Sequence, residues 1–431
     1  MDYGGALDYL YTLRKSGIKL RLSHTAHLLE LMGNPHMRFK SVHVGGTNGK
    51  GSVCAMIYSS LMEAGHSVGM YTSPHLMEFT ERIQADGSQI PPDVLARMLD
   101  ETIPLINGMQ DDKSVGEPSF FEVITAIAFK YFADNGVDLA VVEVGLGGRL
   151  DSTNVLTPLV SVITNVQMDH REVLGDSVLD IAREKAGIIK EGVPVVTSEE
   201  DPKTLSLFER TCQRSSKLHV VGKDVSYKIK KISHLKQVFD VDGIRLHENI
   251  AIRFMGVHQI KNAAAAVTAL DVLNAGGVDV PEDAIRSGLV SAVWPGRFEV
   301  LDIRPKTVLD CAHNPDGART LKESLRQHFG DRKFILSIGV SDYKDIDGIL
   351  SQLLPVAKHV IVARSNHPQA ASPNVLRDKI ERMGAKCTAA ASAKESIQTA
   401  RSLSGEDDIL VFSGSIFFVG DIRKLLLEND G

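Results

Sequence analysis

Residues 40–65 read KSVHVGGTNGKGSVCAMIYSSLMEAG, and this stretch decides the fold. An apolar run of strand type passes through a glycine-rich turn into fifteen residues of helical period closed by Gly65, the junction that a phosphate-binding loop requires. In Gly46-Thr47-Asn48-Gly49-Lys50-Gly51-Ser52 the glycines let backbone N–H groups turn toward a phosphate. The start of the helix adds positive potential, and Lys50 supplies a cationic donor. Glycines alone would make only a tight turn; the lysine between strand and helix points to a nucleotide triphosphate. The loop departs from GxxxxGK[ST], because Gly51 stands where the hydroxyl should follow the lysine and Ser52 comes one place later. That shift argues against Ser52 as a metal ligand.

Outward from this loop, the runs SVGMYTS, DLAVVEVG, LVSVITNV and VPVVTSE alternate with helical stretches such as FFEVITAIAFKYFADNG, predicting a mostly parallel sheet covered by helices. The segment from about Lys217 to Ile252 alternates polar and apolar residues and predicts an antiparallel meander, read as an insertion or edge element. The alanine-rich HQIKNAAAAVTALDVLNAGG predicts a helix, and SAVWPGRFEV holds the only tryptophan beside a Pro-Gly junction. From Lys306 a second alternation begins, with TVLDCA, KFILSIGV, HVIVARS and DILVFSG as strands and TLKESLRQHFG, VLRDKIERMG and SAKESIQTARSL as helices. The expectation is an α/β protein: a phosphate-loop domain over residues 1–295 and a smaller Rossmann-like α/β domain over residues 296–431.

The 431 residues, 43% hydrophobic and 24% charged, suffice for two or three cores. A net charge of −6 gives no footprint for nucleic acid or an anionic membrane, so any anionic ligand must be held locally. Cys54, Cys212, Cys311 and Cys387 form no CxxC pair, which suggests neither a disulfide framework nor a zinc site. No signal-type segment opens the chain and no run of about 18 apolar residues crosses it, so a cytoplasmic monomer is expected.

Three polar groups fall at predicted strand ends, where open α/β sheets place their ligands: Ser73, Glu143 and His170. A carboxylate inside the apolar DLAVVEVG demands a cation, and magnesium bridging a carboxylate to nucleotide phosphates would supply one. Read singly, Glu143 can equally be a paired structural carboxylate, and His170 a hydrogen-bonded strand end. Residues Arg183, Glu184, Lys185 and Lys190 read as a solvated helix face, and His75 as a turn cap.

Together, a series of strings in order resembles the folylpolyglutamate synthase and dihydrofolate synthase branch of the Mur ligase family. They run from GNPH at Gly33 and GGTNGKGS at Gly45 through YTSPHL at Tyr71, EVGLGGRLDSTN at Glu143, DH at Asp169 and EKAGIIK at Glu184. HQIKN at His258, WPGRFE at Trp294 and DCAHNP at Asp310 complete the set. The resemblance implies an ATP-dependent ligase with a cleft between two domains that closes for chemistry. It implies that Gly49, Lys50, Gly51 and Ser52 hold ATP phosphates, and that Ser73, Glu143 and His170 organise magnesium, with two ions expected. Asn262, Arg297 and Asp310 would contact the nucleotide, joined by His313, which is also the candidate base for the incoming amine. Lys185 matches a lysine often carbamylated in this family.

The implied reaction is attack of a folate-type carboxylate on the γ-phosphorus of ATP, then displacement of phosphate from the acyl phosphate by the amine of L-glutamate. Catalysis would rest on positioning and charge neutralisation by Lys50, Arg297 and magnesium. The pterin is expected near Ser119, Phe120, Phe121, Glu122, Leu150, Asp151 and Ser152, although Phe120 and Phe121 also open an amphipathic helix and have a core reading. Cys311 replaces a small residue usual in the family and reads as packing, and Tyr343 enlarges the SDYKD motif. The alternatives are a Mur-type ligase for another carboxylate and a slow nucleotide switch; the polar strand ends of the second half weigh against a switch.

Overall fold

The computed structural model describes residues 1–13, 21–111, 116–212, 216–233 and 235–429. Its largest sheet contains β1 (Lys40–Gly45), β2 (Val68–Tyr71), β3 (Ile83–Ala85), β4 (Ser88–Gln89), β5 (Leu139–Glu143), β6 (Val160–Ile163), β7 (Val195–Thr197) and β8 (Leu218–Val220). The spatial order is β4-β3-β2-β5-β1-β6-β7-β8, with β2, β5, β1, β6, β7 and β8 parallel and the β3–β4 hairpin antiparallel at one edge. From β1 the chain crosses β5 to reach β2, whereas from β5 it crosses β1 to reach β6. The strand order therefore reverses beside β1, and a crevice opens beyond the carboxyl ends of β1, β2, β5 and β6.

These strands read as nearly continuous apolar runs because both faces are covered. Helices Lys50–Glu63 and Val257–Ala275 pack on one face through Cys54, Ile57, Leu61, Ala263 to Val267 and Leu270, all essentially inaccessible to water. The run of four alanines lets the second helix lie close, and each fully buried leucine such as Leu61 contributes roughly 1.5–3 kcal/mol. The opposite face carries helix Phe120–Asp134 with Tyr3–Leu13, Leu22–Leu31 and Pro92–Asp111. Within β1, His43 is fully buried with Nε2 2.8 Å from Thr153 Oγ1, and burial pushes its pKa down to about 3, so the imidazole is neutral.

The predicted meander is a separate three-stranded antiparallel sheet of β9 (Ser226–Ile232), β10 (Gln237–Asp242) and β11 (Leu246–Ile252), ordered β11-β10-β9. Phe239, Val241, Ile250 and Ile252 bury into the same core as helix Val257–Ala275. A buried ionic knot pins it there. The fully buried His247 places Nε2 3.0 Å from Asp271 Oδ2 and Nδ1 2.6 Å from Glu282 Oε2, while Arg245 and Arg286 pair with the same two carboxylates.

The second half repeats the logic with β12 (Glu299–Leu301), β13 (Lys306–Asp310), β14 (Phe334–Ile338), β15 (Ala357–Val362), β16 (Cys387–Ala389) and β17 (Ile409–Ser413), ordered β12-β13-β17-β14-β15-β16. Only β12 runs antiparallel to its neighbour. The loop after β2 reaches across to this half. Leu76 packs against the core formed by Phe412, Phe418 and Ile422, with its carbonyl oxygen against Gly420, where any side chain would collide with it. No described helix is long and apolar enough to cross a membrane.

Candidate active site

The loop after β1 is fixed by contacts that its sequence makes possible. Gly46 and Gly49 have φ of +134° and +86°, the region that glycine enters freely. A side chain at Gly49 would strike Asn262 Oδ1 at 2.7 Å, so the loop backbone lies directly on the alanine-rich helix. Asn165 accepts from the N–H of Thr47 at 2.8 Å and from that of Asn48 at 2.9 Å, and Thr164 Oγ1 donates to the Asn48 carbonyl at 2.6 Å. The loop thereby leaves the first N–H groups of helix Lys50–Glu63, which have no intrahelical acceptor, aimed at the crevice. Ser52 Oγ, 1% exposed as a residue, has no hydrogen-bond partner among the described residues.

Around this loop a single cavity draws lining residues from both large sheets. Gly49, Lys50, Gly51, Ser52, Ser73, Glu143, His170, Lys185, Asn262, Arg297, Asp310 and His313 all line it. Glu143, at the end of β5, accepts from the Ser73 N–H at 3.0 Å and lies 3.9 Å from Lys50 Nζ. Burial raises its carboxyl above the usual range, against the pull of Lys50, the Ser73 N–H and Arg297. A carboxylate so buried gains from any further cation it meets. His170 adopts a left-handed backbone at φ 50°, and burial, with Lys344 nearby, pushes its pKa down to about 4. The neutral ring carries a lone pair.

Lys185 lies on the buried face of helix Val178–Ala186, contrary to the solvated reading of that segment, because Ile181 and Lys185 face the crevice while Arg183 faces water. Its Nζ donates to the Gly46 carbonyl at 2.7 Å. Burial, reinforced by Lys50, pushes its pKa down to about 7.

Asp169 entered the sequence reading only as the first residue of the DH string, with no role of its own, yet it is the ionic centre of the cavity. Its Oδ1 lies 2.5 Å from Lys344 Nζ, and its Oδ2 lies 3.3 Å from Asn314 Nδ2, 3.4 Å from His313 Nε2 and 3.9 Å from His170 Nε2. Burial opposes the charge, but the His313 hydrogen bond, Lys344 and His170 together hold the carboxyl well below its ordinary value. Beside it, Asn48 of the phosphate loop donates to Asp316 Oδ2 at 3.0 Å and accepts from Asn314 Nδ2 at 3.1 Å. Lys344, His313, Asn314 and Asp316 all belong to the second half, so polar side chains close the crevice over the loop.

Some expected roles change in this geometry. His313 has the Cys311 carbonyl 3.0 Å from Nδ1 and the Asp169 carboxylate 3.4 Å from Nε2, so both ring nitrogens already have an acceptor within the chain. Both oxygens of Asp310 accept backbone N–H groups, from Phe298 at 2.8 Å and Ala312 at 2.9 Å, so it shapes the strand end beside Arg297. Cys311 is buried, and its thiol is pushed up to about 12 by burial; it is packing, as its isolation from any base suggests. Tyr343 stands its half-exposed ring 6.5 Å from that of His170.

None of the seven residues expected at the pterin lines this cavity. Ser119 and Glu122 form a capping box that starts helix Phe120–Asp134, and Phe120 is buried core. Asp151 caps the short 3-10 turn Ser152–Val155 and accepts from the Leu146 N–H at 2.8 Å, holding the glycine loop after β5 in place, while Ser152 is buried. Only Phe121, whose ring abuts Gly145 at the cavity edge, and the half-buried Leu150 retain accessible apolar surface.

The chain is similar to known proteins along nearly its whole length. Residues 44–270 match the family model of the Mur ligase middle domain, and residues 296–416 match that of the Mur ligase glutamate ligase domain. The dihydrofolate synthase/folylpolyglutamate synthase of Bacillus subtilis is 34% identical over 98% of this chain and 99% of its own length. Folylpolyglutamate synthase of Lacticaseibacillus casei is 33% identical over 99% of both chains. Among solved structures, Mycobacterium tuberculosis folylpolyglutamate synthase complexed with ADP and AMPPCP superposes with a TM-score of 0.91 at 32% identity, covering 98% of this chain and 99% of that one. Escherichia coli FolC in complex with DHPP and ADP gives 0.87 at 28% identity, covering 100% and 99%.

Proposed function

The chain belongs to the Mur ligase family, in its folylpolyglutamate synthase and dihydrofolate synthase branch, and from that premise we propose that it joins L-glutamate to a folate-type carboxylate, driven by ATP. The observation that carries this reading is the cavity in which the phosphate loop faces Arg297, Asp310 and His313 of the second half. Residues 1–295 and 296–431 are taken as its two domains.

ATP phosphates lie along the N–H groups of Gly49 to Ser52 with Lys50 beside them. A folate carboxylate oxygen bonds to the γ-phosphorus as the bond to the β-phosphate oxygen breaks, giving an acyl phosphate and ADP. The glutamate amine then bonds to the acyl carbon, releasing phosphate and a proton. Lys50 and Arg297 offset charge on the transferring phosphoryl group, and the Asp169–Lys344 contact keeps water from the acyl phosphate. His313, its two ring nitrogens taken by Asp169 and the Cys311 carbonyl, holds the Asp169 carboxylate in place and would have to give up one of these contacts to act as the base.

The residues fit magnesium. Glu143, its neighbour Ser73 and the neutral His170 offer donors in one cavity, with the unpartnered Ser52 Oγ left to a phosphate oxygen, although no cluster of three or more acidic, His or Cys ligands occurs among the described residues, so phosphates and water must complete the shell. When bound, magnesium supplies charge neutralisation at the phosphates. Lys185, with a pKa near 7, is suited to carbamylation, which would convert an amine into an oxygen donor. The pterin lies against Phe121 and Leu150, with Ser119, Glu122 and Asp151 holding that wall from behind. The four free cysteines fit a reducing compartment, and the chain is assigned to the cytoplasm as a monomer.

The reading is tested by phosphate release from ATP in the presence of glutamate, comparing dihydropteroate, tetrahydrofolate monoglutamate and no acceptor, with products identified by mass. A glutamate-sized gain on either pterin supports the ligase and chooses between its activities. Turnover independent of both points to another carboxylate.

A further inference from the structure

We infer that Trp294, the chain's only tryptophan, is a positioning residue for the nucleotide: its indole fixes the first helical turn of the phosphate loop and couples that turn to the segment leading into the second sheet. A Cβ built at Gly51 would lie 2.5 Å from Trp294 Cζ2 and 2.6 Å from Cε2 and Nε1. No rotation of a side chain at residue 51 relieves that contact, because the ring occupies the space where Cβ itself must sit. This accounts for the departure of the loop from its usual form. The residue after Lys50 is glycine because the indole lies there, and the hydroxyl appears one place later at Ser52, whose Oγ is buried and unpartnered.

On the other side, the indole is tied to the second half through its own backbone neighbourhood. Two residues on, the Gly296 carbonyl accepts from the Cys311 N–H at 2.9 Å, and the Gly296 N–H donates to Glu299 Oε2 at 2.9 Å. Glu299 is in turn held by the guanidinium of Arg423 at 2.9 Å. Movement of the second sheet therefore pulls directly on the chain that carries the ring. The indole also borders a second cavity, lined by Tyr58, Met62, Met70, Met77 and Ile416, so it has open space on one side and none toward Gly51. Withdrawal toward that space would release the loop turn that bears Lys50 and Ser52.

This inference rests on the assignment of ATP to the first cavity, and the test separates the two. Binding of AMPPCP to the wild-type chain is measured by calorimetry and, in parallel, by intrinsic fluorescence, for which Trp294 is the single reporter. A fluorescence change that titrates with the calorimetric Kd is expected. Gly51→Ala should raise KM for ATP by about tenfold or more with a smaller loss in kcat. Adding Trp294→Phe, a smaller ring, to Gly51→Ala should recover most of that loss, whereas Trp294→Phe alone should weaken ATP binding. Silent fluorescence during calorimetrically proven binding overturns the inference, as do additive effects of the two substitutions without rescue. The fluorescence arm needs no variant and stands even if Gly51→Ala fails to fold. No nucleotide binding by the wild-type chain would instead overturn the ATP assignment itself.

Discussion

Lys344 Nζ and Asp169 Oδ1 meet at 2.5 Å beside the cavity, joining residues 175 positions apart on opposite halves of the chain. Both side chains are at most one-tenth exposed, so salt screens the pair weakly, and removing one partner strands the other charge. Asp169→Asn is expected to lower ligation by about 10²-fold while leaving AMPPCP affinity within a few-fold, since the loop contacts of Asn48 and Asn165 remain. Steady-state kinetics beside calorimetry check this; parallel loss of both would place Asp169 in nucleotide binding.

Lys50→Ala should lower ATP turnover by about 10²- to 10³-fold or more, as expected for loss of a preorganised donor at a transferring phosphoryl group. Lys50→Arg should not restore it, because a planar guanidinium does not fit beside Thr47 O and Glu143 at 3.2 and 3.9 Å. Near-normal ligation by Lys50→Ala would refute the phosphate-loop assignment.

Glu143→Ala should shift the magnesium titration of activity to much higher concentration, because the buried carboxylate facing the loop is lost. An unchanged titration curve would remove Glu143 from the metal site.

A lysine with a pKa near 7 is substantially unprotonated at neutral pH and can attack carbon dioxide. In ¹³C-bicarbonate the chain should show a carbamate resonance that Lys185→Ala lacks, with ligation by that variant strongly reduced. A spectrum identical in both chains would discard the modification.

His247 makes stability depend on pH. Burial opposes its charge, but the hydrogen bond and charge of Asp271, with Glu282, raise its pKa above the ordinary 6.5. The groups facing it are Asp271 on helix Val257–Ala275, Glu282 and Arg286 on helix Glu282–Ser291, and Arg245 before β11. A raised folded-state pKa means that the contribution is complete below pH 6.5 and is lost as pH climbs through the raised value. The wild-type chain should therefore lose more Tm than His247→Gln between pH 6 and pH 8.5. Equal losses in thermal unfolding followed by circular dichroism would show that the knot is not ionic.

The alternating strands and long helices were legible because parallel strands buried on both faces read as plain apolar runs, as DLAVVEVG does around β5. Short pieces were not. β12 and β16 have three residues each and β4 two, too few for a period to register. Helix Ile346–Leu353 hides behind a turn motif, and the N-terminal helices carry weak start signals. In the site, the phosphate loop and Glu143 announce themselves by local chemistry, a lysine in a glycine turn and a carboxylate in an apolar strand. Asp169 does not, since its role depends on Lys344 and His313, which only the folded chain brings to it. Lys185 misled for the opposite reason: its neighbours Arg183 and Glu184 are charged, and only the turn of the helix separates its buried face from theirs.

Leu76 gives the junction between the halves a mechanical asymmetry. Where its side chain enters the core beneath Phe418, with its carbonyl set against Gly420, the contact is apolar and close-packed, and parting it would leave a void. At Asp169 and Asn48 the contacts are polar, and the neutral one, from Asn314 to Asn48, exchanges for bonds to water at a net difference of about 0.5–1.5 kcal/mol. One edge is thus built like an axle and the other like a latch, so a swing of the second half off the phosphate loop would turn about Leu76.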